Sequence, residues 1–172
     1  SGKTGDVIQT FVYPKVTSDD GRGIEVLDRA IKNREKYSFF GTEVAEAGDV
    51  NGDGIPDFLI SAYEKSVDEK EEAGQVFLFS GADGKHIRTL TSPNVSEEGH
   101  FGWSVAGVGD VNGDDSPDLL IGAVESANGK RDAGRAYLFN GASGNVIRVF
   151  TSPNSQNGGD FGTELSGTGD ID

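Results

Sequence analysis

The sequence predicts an all-β chain made of four-stranded antiparallel blades of a β-propeller, and three observations predict it. The first is an internal repeat. Phe40-Gly41-Thr42-Glu43-Val44 returns 61 residues later as Phe101-Gly102-Trp103-Ser104-Val105, and 60 residues after that as Phe161-Gly162-Thr163-Glu164-Leu165. The second is the texture of each repeat, in which four short β-branched, aromatic or aliphatic runs are separated by Gly, Asp, Asn and Pro clusters. The third is that no helix-period pattern competes inside the repeats. Four antiparallel strands recurring every ~60 residues are the pattern of blades that pack face to face.

The elements follow in order. Residues 1–11 contain Gly5-Asp6-Val7-Ile8-Gln9-Thr10-Phe11, which prefigures Gly84-Lys85-His86-Ile87-Arg88-Thr89-Leu90 and Gly144-Asn145-Val146-Ile147-Arg148-Val149-Phe150. They are expected to be the outer strand of a preceding blade. Residues 12–39 form a link of 28 residues where the corresponding link, Thr91 to His100, has 10. Within it Ile24, Leu27 and Ile31 fall at i, i+3 and i+7. Glu25 with Arg29 and Asp28 with Lys32 are helix-supporting pairs, so this inserted loop is expected to carry a short helix. Residues 40–100 form one blade, with strands over 41–48, 57–62, 75–80 and 85–91. Residues 101–160 form another, with strands over 102–109, 118–123, 135–140 and 145–151. Gly81-Ala82-Asp83-Gly84 and Gly141-Ala142-Ser143-Gly144 read as hairpin turns that need glycine at positive φ. Residues 161–172 begin a further repeat and stop inside it.

About two and a half blades are therefore present. A blade cannot bury both faces alone, so a fragment of a larger propeller, or an assembly that closes between chains, is expected.

Composition excludes several function classes. Lys and Arg number 15 against 29 Asp and Glu, a formal net charge of −14. Phosphate contacts need clustered cations, so no nucleic-acid partner and no anionic membrane surface is expected. No apolar run approaches the ~18 residues of a membrane span, so no membrane insertion is expected. There is no Cys, which removes disulfides, thiolate metal sites and cysteine nucleophiles.

The acidic residues are not scattered. Asp49-Val50-Asn51-Gly52-Asp53-Gly54-Ile55-Pro56-Asp57 places side-chain oxygens at loop positions 1, 3, 5 and 9, and position 7 offers the backbone carbonyl of Ile55. Alternate acidic residues wrap hard oxygen ligands around one point, which is what Ca2+ requires. Asp110-Val111-Asn112-Gly113-Asp114-Asp115-Ser116-Pro117-Asp118 keeps positions 1, 3, 5 and 9 but has Asp115 where the first loop has Gly54. Its turn is expected to be more strained or its calcium affinity lower. Asp170 and Asp172 begin a third such run. The competing reading is that these are Asx and Asn-Gly turns of a hairpin-rich protein; two loops in register, each with its position-9 Asp preceded by Pro and followed by an apolar strand, favour metal. An EF-hand needs a bidentate Glu at position 12 and flanking helices, whereas position 12 is Ile60 or Ile121 and both flanks read as strand.

Other resemblances to chemistry are weaker. Gly2-Lys3-Thr4 lacks the upstream glycine of a phosphate loop and leads into a strand. Gly102-Trp103-Ser104-Val105-Ala106 lacks the last glycine of a nucleophile elbow. His86 and His100 have no zinc-type spacing and read as surface or packing residues. Glu43 and Glu46 are at odd spacing and do not make a hydrolase pair. Trp103 stands where the other repeats have Thr42 and Thr163, either packing between blades or stacking on a ligand. Asn94-Val95-Ser96 is a glycosylation sequon. No catalytic residue is identified, and the chain is not expected to be an enzyme.

Phe-Gly, an Asp-x-Asn-x-Asp loop and then Phe58-Leu59-Ile60-Ser61-Ala62 or Leu119-Leu120-Ile121-Gly122-Ala123 resemble the FG-GAP repeat of integrin α-chain β-propellers and of related bacterial secreted and surface proteins. The resemblance covers residues 40–172, with 1–11 as a closing strand. It departs from the "GAP" portion, which here reads Ile-Ser-Ala-Tyr and Ile-Gly-Ala-Val. It implies Ca2+ ligands at Asp49, Asn51, Asp53, Ile55 (main chain) and Asp57, and at Asp110, Asn112, Asp114, Ser116 (main chain) and Asp118. It also implies a seven-bladed parent. A protein or glycan ligand would bind on the opposite loop face, formed by Tyr63 to Ala73, Val124 to Ala133 and the links between blades. The function implied is calcium-stabilised adhesion or ligand recognition, extracellular or at the cell surface. The alternative is an accessory or carbohydrate-binding propeller attached to a secreted hydrolase.

Overall fold

The computed structural model of the chain describes residues 38–167, and these form two four-stranded antiparallel sheets. Strands β1 (Val44–Gly48), β2 (Asp57–Ala62), β3 (Gln75–Phe79) and β4 (His86–Leu90) make the first, in that spatial order. Strands β5 (Val105–Gly109), β6 (Asp118–Ala123), β7 (Arg135–Phe139) and β8 (Val146–Phe150) make the second in the same order. Each sheet is a meander, the arrangement that short turn-forming connections dictate for antiparallel strands. The registers coincide: Ile60 opposes Phe77 in one sheet and Ile121 opposes Tyr137 in the other. The all-β blades expected from the repeat are thus observed.

The inner strands start three residues later than expected, for a local reason. Gly41 has φ of 90°, a conformation L-residues rarely tolerate, and its N–H bonds to the Ser61 carbonyl at 2.8 Å. Thr42 Oγ1 donates to the Phe39 carbonyl at 2.8 Å and closes the turn. Phe-Gly is therefore a turn that enters the strand, and Glu43 lies outside β1. A register shift between Glu46 and Gly48, repeated between Gly107 and Gly109, bends each inner strand as it leaves toward the acidic loop.

Burial explains why the middle strands read as continuous apolar runs. They are covered on both faces. Leu59, Val76, Leu78 and Leu90 of the first sheet pack with Phe101, Leu119, Ile121, Tyr137 and Phe139 of the second in one core. The repeated Phe plugs the same face each time. Phe101 lies 5.9 Å from Tyr137 and 5.8 Å from Phe139 between ring centroids, and Phe40 lies 5.7 Å from Phe77 and 6.3 Å from Phe79. The far face of the second sheet differs. Leu90 is 3% exposed, whereas its counterpart Phe150 is 37% exposed, and every residue of β8 is exposed.

The two connections between second and third strands differ in sequence but not in backbone. Val67 pairs with Lys70 and Ala127 with Lys130, and each tip uses two left-handed residues, Asp68 with Glu69 and Asn128 with Gly129. The strand expected over 1–11, the helix expected between Ile24 and Tyr37, Gly2-Lys3-Thr4, Asp170 and Asp172 lie outside the described residues.

Candidate metal centre and the opposite face

The acidic loops join β1 to β2 and β5 to β6, so strands flank both. In the first loop Asp49 organises the backbone. Its Oδ1 accepts the N–H groups of Gly52 at 2.8 Å and Asp53 at 3.0 Å, and its Oδ2 accepts that of Gly54 at 2.8 Å. Asn51 Oδ1 accepts the Asp53 N–H and Asp53 Oδ1 accepts the Ile55 N–H, both at 2.9 Å. Asp57, the first residue of β2, is fully buried. Its Oδ2 accepts the N–H groups of Val50 at 2.9 Å and Asn51 at 3.2 Å, and its Oδ1 accepts that of Gly81 at 3.1 Å.

The second loop repeats this pattern. Asp110 Oδ1 accepts from Gly113 at 2.7 Å, and Asp110 Oδ2 from Asp115 at 2.7 Å. Asp114 Oδ1 accepts the Ser116 N–H at 3.0 Å, and Asp118 Oδ2 accepts that of Val111 at 3.1 Å. Asp115 has φ of 65° where Gly54 has 85°, so the expected strain is located at that residue. The loop keeps its path because the Asp115 N–H still reaches Asp110.

The electrostatics follow from this packing. Burial pushes the Asp57 carboxyl above its ordinary value, its N–H donors pull the other way, and the charge of Asp53 adds to the rise. Burial does the same at Asp118, opposed by Val111 and Gly141 and reinforced by Asp114 and Asp110. At Asp110 desolvation also pulls upward, but N–H bonds from Asp115, Gly113, Asp114 and Asn112 outweigh it and hold that carboxyl low.

Every candidate donor in either loop is an oxygen: three carboxylates, one amide carbonyl and one main-chain carbonyl. That chemistry fits a hard divalent cation such as Ca2+ and fits a soft one poorly. Among the described residues, no group of three or more Asp, Glu, His or Cys side chains is gathered closely enough to hold a metal by those groups alone. The fit therefore depends on the mixed donor set. Asp49, Asn51, Asp53, Ile55 and Asp57 lie together on one loop, as do Asp110, Asn112, Asp114, Ser116 and Asp118 on the other.

Each acidic loop also leans on the third-to-fourth strand hairpin of its own sheet. A Cβ at Gly81 would sit 1.8 Å from the Pro56 carbonyl oxygen, and one at Gly141 would sit 2.0 Å from that of Pro117. These glycines were expected to serve positive φ; Gly84 and Gly144 do, at 67° and 73°, whereas Gly81 and Gly141 serve close approach. Position 80/140 separates the two sites. Ser80 Oγ accepts the Ala82 N–H at 3.2 Å within its own hairpin. Asn140 instead sends its Nδ2 to Asp114 Oδ2, and to Asp118 Oδ1 at 3.4 Å.

At the other end of the inner strands lies an aromatic cluster. Tyr63 is 5.0 Å from Trp103, 5.8 Å from His100 and 5.5 Å from Phe39 between ring centroids. His100 Nε2 lies 3.1 Å from Glu72 Oε2. Trp103 and Phe39 are exposed, so Trp103 is neither buried between blades nor isolated. Tyr63 carried no signal in sequence beyond its place at the end of an apolar strand. Elsewhere His86 packs on Phe77 and Phe79. The Asn94 amide of the sequon donates to the buried Glu125 carboxylate at 3.3 Å, which also accepts the Tyr137 hydroxyl.

Residues 49–121 match a family described as FG-GAP-like repeat. The chain is also similar to integrin alpha-11 of Homo sapiens, 28% identical over 125 residues, and to integrin alpha-2 of Mus musculus, 30% identical over 145 residues. These matches cover 72% and 78% of this chain but 10% and 12% of the relatives. Integrin alpha-7 of Rattus norvegicus is 34% identical over 93 residues, covering 51% of this chain and 7% of that protein. The chain thus spans about a tenth of the length of the curated relatives it matches.

Proposed function

Because the repeats of this chain are FG-GAP-like propeller blades similar to stretches of integrin α-chains, we propose that it is a calcium-binding, non-enzymatic module for adhesion or ligand recognition, extracellular or at the cell surface. The observation that carries this reading is the pair of in-register acidic loops at one end of the inner strands, with an exposed aromatic cluster at the other. Bound Ca2+ would supply charge neutralisation and cross-bracing at the loops. Asp49, Asn51, Asp53, the Ile55 carbonyl and Asp57 would hold one ion; Asp110, Asn112, Asp114, the Ser116 carbonyl and Asp118 would hold the other. What the chain supplies is a loop whose backbone is already folded by its own Asx hydrogen bonds, so that binding has mainly the carboxylates left to gather.

The domain reading follows the same logic. Residues 40–100 and 101–160 are successive blades, and the exposed face of β8 takes a further blade of a larger propeller or of another chain. The ligand, a protein or a glycan, binds on the face carrying Phe39, Tyr63, His100 and Trp103. Aromatic rings give large contact area at low conformational cost, and a polar rim of Glu72 and His100 supplies direction. Protein and glycan arrays probed with the chain in calcium and in chelator test this. The reading expects capture that requires calcium and is lost in Trp103→Ala. Capture that is indifferent to calcium and to Trp103→Ala would overturn it.

A further inference from the structure

The two acidic loops share their donors at positions 1, 3, 5 and 9 and differ internally at Gly54 against Asp115, and their neighbours also treat them differently, at the position of Ser80 and Asn140. Asn140 is 8% exposed and stands where the other blade has Ser80. Its Oδ1 accepts the Ser143 N–H at 2.7 Å. A backbone N–H can only donate, so the oxygen of the amide must face Ser143 and the NH2 must face the acidic loop. That NH2 donates to Asp114 Oδ2 and lies 3.4 Å from Asp118 Oδ1. In the first blade, Ser80 accepts from Ala82 at 3.2 Å and is turned to Asp83 of its own hairpin. Among the described residues Asp53 accepts the Ile55 N–H and no side-chain donor.

We propose that Asn140 is an affinity-setting residue that makes the second loop the weaker calcium site, by holding the Asp114 carboxylate with an amide donor that a cation must displace. The proposal rests on the calcium reading given above. Asp114 is at loop position 5, and its Oδ1 is already committed to the Ser116 N–H at 3.0 Å. Its Oδ2 is therefore the oxygen free to meet a cation, and that is the atom Asn140 occupies. The positive end of the amide dipole also faces the space where positive charge would accumulate. Rotating the amide to present its oxygen would strand the Ser143 N–H and turn the NH2 against a backbone donor, so the side chain cannot simply change from competitor to ligand. Ser80 imposes neither cost on Asp53. The two loops are thus a built-in pair of unequal sites, one filled at lower calcium than the other.

Calcium chloride titrated by calorimetry into chelator-treated chain tests this with variants that isolate each loop. Asp114→Ala leaves the first loop to bind, and Asp53→Ala leaves the second. The account expects tighter binding in Asp114→Ala than in Asp53→Ala. It expects Asp53→Ala with Asn140→Ser to bind about tenfold tighter than Asp53→Ala alone, the scale of one hydrogen bond to a charged group. Ser80→Asn in the Asp114→Ala background is expected to weaken binding, which keeps the test intact if Asn140→Ser perturbs its hairpin. Equal affinities, or weaker binding in Asn140→Ser, would overturn the role of Asn140 while leaving the calcium reading standing. Absence of binding in the wild-type chain would overturn both.

Discussion

The Gly81 N–H donates to Asp57 Oδ1 at 3.1 Å, and this bond ties the hairpin after β3 to the first residue of β2. Asp57 also accepts from Val50 and Asn51. It is a fully buried brace as well as a candidate ligand. Asp57→Ala would strand the Val50 N–H, which is buried, along with two partly buried ones, at about 1–3 kcal/mol for each buried group left unpaired. We expect a loss of about 3 kcal/mol in chelator, measured by urea denaturation, and a larger one in calcium, where a ligand is removed as well. A loss confined to calcium would contradict the brace.

Asp53 and Asp114 behave differently, because in the calcium reading their work is done on the ion. Asp53→Ala and Asp114→Ala are expected to lower Tm more in calcium than in chelator, with Asp114→Ala also losing the bond from Asn140 in both conditions. At calcium a hundredfold above Kd, each site contributes about 2.7 kcal/mol. Paired thermal melts decide the matter, and equal losses with and without calcium would refute it.

Tyr137 makes stability depend on alkaline pH. Burial, and then its bond to Glu125, raise the phenol far above its ordinary value. The folded chain therefore keeps this proton when the unfolded chain releases it. The stability is fully present below the unfolded tyrosine value of about 10 and is lost as pH rises through and beyond it. Tyr137→Phe should flatten part of that decline. Denaturation midpoints between pH 9 and 11 read it, and identical slopes in the two proteins would contradict it.

Leu90 and Phe150 occupy the same position of successive blades and differ in burial. Leu90→Ala is expected to cost about 2–4 kcal/mol, the range for a buried leucine. Phe150→Ala, on the exposed face, should cost under about 1 kcal/mol, as surface changes do. Comparable losses would mean that the β8 face is covered in solution by another copy.

The fold was legible in the sequence because the repeat and the turn residues agree at every level. β2 and β3, for instance, are apolar runs bounded by Pro56-Asp57 and Gly81. The start of β1 was not, since Phe40-Gly41-Thr42 alternates like a strand while Gly41 φ makes it a turn. The loops joining second to third strands share no sequence pattern at their tips, because Asp68-Glu69 and Asn128-Gly129 reach the same left-handed conformation with different side chains. The acidic positions were readable from spacing. What spacing does not encode is the neighbour: Asn140 approaches Asp114 across 26 residues. The only sequence trace is the Ser80 to Asn140 exchange between aligned repeats. The aromatic cluster likewise joins Phe39, Tyr63, His100 and Trp103 from three separate segments.

Calorimetric titration of calcium chloride into the chelator-treated chain tests the central claim most directly. The account predicts about two ions per chain at micromolar to millimolar affinity, falling to one in Asp53→Ala or Asp114→Ala. No heat, together with no thermal shift in calcium, would contradict it and leave the acidic loops as turns held by their own Asx hydrogen bonds.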